Sequence, residues 1–430
     1  MTVIGIVIIG IGFFFYLKKP IRYLLALILV SCIFQASSVI NIGGKGIPPY
    51  VICELFLVLR VLSTYSSSTK RLKVNRVIIY FFVFVCWAIV LTLFMPFVFK
   101  GLSVIGSNTS DQYLAMMQMH DHLSFSSKNI VQIMFIISNF VTFCLFYHYR
   151  DCLSNKFLLN TFLCAIGLVL FIGFWSFSNK ILGVPFPNSV FYSNVGYGQL
   201  YNVETEFGLS RLNATFTEPS YCGGFLAASF WAVYNTANKH KYILCSIIMI
   251  ALLFNLSSTG LVAFGVGFIL YAVSSVKRLF INVIIFIVLI FILSHTIYWD
   301  YFDTMLFSKG ETLSGLARGN SLILTLDLCR DTHFIGLGLG SHRDFSFFGN
   351  LLAATGIVGL VLFMVIVGIL QYKNYKNRNV YVGNRFLFYW GNVHWIAVFI
   401  ALPDLSYSVL WMWMFASISQ YKSIKYADWN

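Results

Sequence analysis

Charge is what this chain has least of: Asp, Glu, Lys and Arg make up 10% of its 430 residues, and only 15 are acidic. A soluble domain carries roughly a quarter charged residues, so an ordinary water-soluble fold is excluded. Proline is scarce too, with 8 in the chain, which leaves long stretches free of helix breaks. The nine cysteines show no CxxC or other metal-ligand spacing. Cys32, Cys86, Cys144, Cys164 and Cys245 lie inside apolar runs and read as small packing residues. No Walker motif is present, which argues against ATP-driven chemistry within the chain. The first apolar run lacks the small-residue cleavage site of a signal peptide and reads as a retained span or signal anchor. No convincing internal repeat is found.

What is abundant is apolar sequence, 59% of the chain, with 44 phenylalanines. A bilayer core needs roughly 20 mostly apolar residues per helix. Such runs occur at 2–17, 23–40, 50–66, 77–98, 129–148, 158–178, 220–236, 242–256, 258–275, 280–296, 347–372, 382–402 and 408–421. The stretch 242–275 also reads as one re-entrant pair. The expected fold is an all-α polytopic integral membrane protein of about 13 helices (range 11–14), one transmembrane domain over 1–430.

The cations alternate with the spans. Lys18, Lys19 and Arg22, then Lys70 to Arg76, Arg150 and Lys156, Lys239 and Lys241, Lys277 and Arg278, Lys373 to Arg385, and Lys422 and Lys425 fall in one set of connections, the cytoplasmic set. Asp111, Asp121, Glu204, Glu206, Glu218, Asp300, Asp303, Glu311, Asp327, Asp331, Asp344 and Asp404 fall in the opposite set. The net charge of +14 is therefore mostly orientation, and no nucleic-acid partner is expected. This alternation places the N-terminus outside and the C-terminus inside. Three long connections, 99–128, 179–219 and 297–346, lie on the outer side and make it the working face.

Charges that topology does not explain become functional candidates. Arg211 and Glu218 are two, in RLNATFTEPSYCGGF at 211–225, where a polar loop meets an apolar segment. The loop before it is rich in Asn, Tyr, Gly and Phe, a mixture that suits sugar contacts and also interfacial anchoring. The third loop holds a candidate amphipathic surface helix, SGLARGNSLILTLDLCRD, with Leu316, Leu322, Leu324, Leu326 and Leu328 among Arg318, Asp327 and Arg330. GLGLGSHRDFSFFGN follows, with Gly336, Gly338 and Gly340 permitting tight backbone geometry near a ligand. Within the apolar runs, Glu54 and Arg60 stand six residues apart, on different faces of one helix. His120 and His122 form a lone HxH, which without further ligands reads as a solvated loop.

Two motifs coincide with a known family: R-x-x-x-x-F-x-E-P-S at 211–220, and G-x-G-x-G-S-x-R at 336–343 followed by N-L-L-x-x-x-G-I-x-G-L at 350–360. On these, the chain resembles the Wzy-type O-antigen polymerases of the polymerase and ligase superfamily. The resemblance implies a GT-C-like membrane fold in the inner membrane of a Gram-negative bacterium, active at the periplasmic face. It implies transfer of a growing glycan from undecaprenyl diphosphate to a lipid-linked repeat unit, without metal or other cofactor. A chain-length regulator and a flippase are implied partners, beside the lipid bilayer and the lipid-linked repeat units.

Breaking a sugar–diphosphate bond without a metal requires fixed positive charge on the departing phosphates, and arginine binds phosphate oxygens in a bidentate way. Arg211, Arg318 and Arg343 are the candidates for diphosphate binding, with Arg330 fourth; the competing reading of each is interfacial snorkelling or an ion pair with Glu218, Asp327 or Asp344. The attacking hydroxyl needs a base, for which Glu218, His342 and His333 are available. Glu218 reads equally as a holder of Arg211 or as a helix cap before Pro219. The related ligases place a histidine before the asparagine that opens the last motif, whereas Gly349 precedes Asn350 here. The rival readings are an O-antigen ligase and a lipid-linked oligosaccharide flippase, and the missing repeat counts against the flippase.

Overall fold

A computed structural model describes residues 1–65, 74–105, 121–195, 208–236, 240–272, 280, 284, 308–401 and 405–421. The described chain is mostly helix. In order, the helices are α1 (Val3–Lys18), α2 (Arg22–Ser31), α3 (Pro49–Tyr65), α4 (Arg76–Val98), α5 (Ser127–His148), α6 (Asn155–Leu182) and α7 (Asn188–Phe191). Then come α8 (Pro219–Tyr234), α9 (Lys241–Asn255), α10 (Ser258–Ala272), α11 (Leu313–Asp331), α12 (Phe347–Asn377), α13 (Val382–Ala401) and α14 (Ser408–Ser419). The sheet among the described residues is two antiparallel ribbons, β1 (Asn41–Ile42) with β2 (Lys45–Gly46) and β3 (Ser103–Val104) with β4 (Asp121–His122).

Each apolar run noted above holds a helix, apart from 280–296, which lies almost wholly outside the described residues. Among the described residues four helices, α4, α5, α6 and α12, are long and apolar enough to cross a membrane. Outward side chains are apolar as well: Phe13 and Phe14 on α1 and Phe82, Phe94 and Phe97 on α4 are exposed. Such a surface suits contact with lipid rather than water.

The second run stops early as a helix. α2 ends at Ser31 although the sequence stays apolar to residue 40. The segment beyond it is buried, and its backbone bonds elsewhere: Ala36 N–H donates to the Thr215 carbonyl (3.0 Å), and the Ala36 carbonyl accepts from Asn194 N–H (3.1 Å). The Thr215 hydroxyl donates to the Ile33 carbonyl at 2.7 Å. Tertiary partners thus replace the helical ladder, and every buried backbone group must find one.

The connections sort to two ends of the bundle. At one end cations lie over aromatic rings: Arg22 over Phe157 (5.6 Å), Arg150 over Tyr147 (4.1 Å) and Arg378 over Tyr375 (3.7 Å). These belong to the basic connections, and amphipathic pairs of this kind suit an interface. The other end, where α3, α5, α8 and α12 begin, carries the ribbons and the longer connections.

α12 positions that end. Gly356 adopts φ 65°, ψ −173° and kinks the helix. The break frees carbonyls, and the segment after α11 takes them up: Leu337 N–H donates to the Ala353 carbonyl (2.7 Å) and Gly338 N–H to that of Ala354 (2.9 Å). Ile357 N–H donates to Phe334 (3.0 Å), and Trp87 Nε1 to the Thr355 carbonyl (2.9 Å). A strap of non-helical chain, 332–346, is thereby threaded into the bundle with the carbonyls freed at the kink taken up.

Candidate functional site

Two stations carry the singled-out residues. In the first, residues 211–218 form a largely buried loop leading into α8. Asn255, at the end of α9, donates from Nδ2 to the Leu212 carbonyl (2.6 Å) and the Pro219 carbonyl (2.9 Å). Tyr192 donates to the Ala214 carbonyl at 2.7 Å. The half-buried Arg211 donates from Nε to the Asn255 carbonyl at 3.4 Å. Lys180 Nζ donates to the Arg211 carbonyl (2.8 Å) and Asn213 Oδ1 (2.9 Å).

Glu218 occupies the N-cap position of α8, with Pro219 in the first turn. Its side chain makes no capping hydrogen bond; Oε2 accepts from the Ser220 hydroxyl at 3.1 Å. Half-buried beside the positive end of a helix, it suits a carboxylate.

The second station is the strap. Its three glycines have φ of 106°, 90° and 76° and face the protein's own backbone. A Cβ on Gly336 would lie 2.6 Å from Gly356 N, on Gly338 2.6 Å from Thr92 Cα, and on Gly340 3.1 Å from the Lys128 carbonyl. The spacing therefore serves close packing on α12, α4 and α5 rather than an approach to a ligand. Leu339 N–H donates to Thr92 Oγ1 (2.9 Å), and Asn129 Nδ2 to the Leu339 carbonyl (2.7 Å) and Ser341 Oγ (2.9 Å).

α11 forms where the sequence predicts a surface helix, and its leucines are divided between its two faces. Leu316, Leu322 and Leu326 are exposed, whereas Ala317, Ser321, Thr325, Leu328 and Cys329 are buried. Its middle lies beside the start of α12 and its C-terminal end at the level of the kink, as the Thr325–Asp344 and Phe334–Ile357 hydrogen bonds require. Arg318 is half-buried on it; Arg330 is exposed, and so is His333 just beyond. Burial pushes the Cys329 thiol up to about 11, with the nearby Asp344 charge adding to it.

Between helix and strap runs a directed hydrogen-bond chain. Ile105 N–H donates to His342 Nδ1 (3.2 Å), so the other ring nitrogen carries the hydrogen of the neutral imidazole. His342 Nε2 meets Thr325 Oγ1 at 2.8 Å, and the Thr325 hydroxyl donates to Asp344 Oδ2 at 2.6 Å. Asp344 also accepts from Ser321 (3.2 Å) and from both the N–H and the hydroxyl of Ser346 (2.6 Å each). His342 is 4% exposed with both nitrogens engaged, an arrangement that holds the strap and leaves no lone pair for a general base. A Cβ on Gly349 would stand 2.6 Å from Asp344 Cγ, which explains why no histidine precedes Asn350.

Arg343, next in the strap, is half-buried and donates its N–H to the Ile105 carbonyl at 3.1 Å. Its guanidinium lies within electrostatic reach of Lys128, which also feels Lys45 and, with opposite sign, Asp121. Lys45 of the β1–β2 ribbon and Arg343 of the strap thus each lie within electrostatic reach of Lys128 in the first turn of α5, as does Asp121. The ribbon packs on Asn194, and Asn194 pairs with the Ala36 that holds Thr215, so the same end carries the Arg211 loop. α13 lies between the two stations. Its Trp390 touches Phe225 of α8 (6.1 Å), and its Trp395 touches Phe347 of α12 (6.1 Å).

Lys45, Lys128 and Lys180 escaped the sequence reading, yet a signal was there: each lies in the acidic set of connections, where orientation does not explain a cation. Among the described residues no three His, Cys, Asp or Glu side chains gather as a metal site. His122 Nδ1 lies 3.2 Å from the Gly101 carbonyl, and His120 is outside the described residues. In comparisons with known proteins, no family model matches the chain, and no curated protein does.

Proposed function

We propose that the chain is an O-antigen polymerase that transfers a growing glycan from undecaprenyl diphosphate onto a lipid-linked repeat unit, at the periplasmic face of a bacterial inner membrane. The observation that carries this reading is the gathering of Arg343, Lys128 and Lys45 at the end of a helical bundle that also holds the Arg211 loop. Undecaprenyl diphosphate departs as a polyanion that gains a further negative charge, and the half-buried Arg343 and Lys128, with exposed Lys45, stabilise that charge as it develops. Arg343 supplies the planar fork, while Lys128 and Lys45 supply point charges. Arg211, braced by Asn255 and flanked by Lys180, is the second anion-binding element across α13.

The acceptor hydroxyl must lose its proton as it attacks the anomeric carbon. Glu218 is the half-buried carboxylate beside the Arg211 loop, and we assign it that role; His342 is assigned to holding the strap. Arg318 belongs with the Arg343 station, and exposed Arg330 contributes at its rim.

Deletion of the gene, followed by electrophoresis of lipopolysaccharide, tests the reading. A polymerase defect leaves cores capped with a single repeat unit; cores without any repeat unit would point to a ligase, and repeat units trapped inside to a flippase. Complementation with Arg343→Ala or Arg211→Ala, at wild-type expression, is expected to leave the single-unit profile.

A further inference from the structure

Away from the cations, one carboxylate is enclosed by the helices. Glu54, in the second turn of α3, is 1% exposed. Its Oε2 accepts from the Ser138 hydroxyl of α5 at 2.5 Å, and its Oε1 is buried without a hydrogen-bond partner. Thr142 lies one turn further along α5, on the same face as Ser138. Asn139, between them in sequence, spends its Nδ2 on the Phe135 carbonyl (2.8 Å). Asn139 Oδ1 and Thr142 Oγ1 are also buried and unpartnered.

Charge does not rescue this carboxylate. Arg60, six residues on, donates to the Tyr16 carbonyl at 2.6 Å and lies over the Tyr16 ring. Among the described residues, the groups whose titration Glu54 influences include Cys53 on its own helix and Cys32 at the end of α2, neither of which supplies a cation. An ionised carboxylate here would stand unpaired in a low-dielectric interior, at a cost of several kcal/mol. Oε1 is buried without a donor, so the ionised form would also leave an acceptor oxygen stranded in the interior. A hydrogen on Oε1 removes the charge that burial penalises.

We propose that Glu54 is an intramembrane proton-binding site, carrying a proton on Oε1 and held between α3 and α5 by Ser138. The proposal is independent of the polymerase reading. It is tested with the full chain in liposomes, by infrared spectroscopy of wild type against Glu54→Gln at neutral pH, and by mapping dicyclohexylcarbodiimide adducts on wild type by mass spectrometry. The difference spectrum is expected to show a protonated carboxyl C=O stretch lost in the variant. The adduct is expected at Glu54, formed at the same rate with or without sodium and several-fold more slowly at alkaline pH. A carboxylate signature in the difference spectrum, or sodium protection of Glu54, would overturn the proposal. Should Glu54→Gln fail to accumulate, wild type alone decides: an adduct at Glu54 supports the proton site and its absence refutes it.

Discussion

In the proposed reaction the chemistry turns on Arg343, whose planar fork stands within electrostatic reach of Lys128. Replacing it by lysine keeps the charge and loses the fork, so activity is expected to fall about tenfold, near 1.4 kcal/mol. Arg343→Ala is expected to lose more, and chain-length profiles on gels compare the two. Gly349 makes the opposite kind of prediction. Gly349→Ala puts a methyl group against the Asp344 carboxylate, and thermal unfolding in detergent should show a loss of about 1–3 kcal/mol. Cys329 tests burial: with its thiol pushed up to about 11 and 2% exposed, it stays protonated at neutral pH. A maleimide should therefore label the exposed Cys152 and leave Cys329 unmodified.

Elements were legible where local sequence decides them. Runs of apolar residues mark the helices, and Pro219 and the Ser346 cap mark the starts of α8 and α12. α2 was misjudged by length because Ala36 and Val39 keep the run apolar, while the break is made by Thr215 and Asn194, far along the chain. The strap was legible only as a run of tight turns. Its glycines answer to Thr92, Lys128 and Gly356, partners that spacing does not reveal. α11 was legible as an amphipathic surface helix but its packing face was not, since the small residues Ala317, Ser321 and Thr325 are buried on it beside Leu328. At this scale the strongest prediction is Gly356→Ala, which combines a left-handed φ with overlap of the Ile335 carbonyl. The variant should unfold well below wild type or fail to accumulate, as followed by fluorescence size-exclusion chromatography.

At the scale of the whole molecule, two ends of one bundle differ in chemistry. One end bears cations seated on interfacial rings; the other bears ribbons, the strap and the Arg211 loop. This division is what the alternation of charge along the sequence describes, and it made the candidate site's general location legible. Its composition was less so, since Lys45, Lys128 and Lys180 are scattered in sequence, and Lys128 comes near Lys45 and Arg343, and Lys180 near Arg211, only through folding. Reporter fusions after residues 200, 325 and 375 are expected to read outside, outside and inside. The most direct measurement of the central claim is reconstitution of the purified chain in liposomes with undecaprenyl-diphosphate-linked repeat units. Wild type should produce a ladder of lipid-linked glycans with release of undecaprenyl diphosphate, and Arg343→Ala should leave single units; an unchanged ladder from the variant would contradict the account.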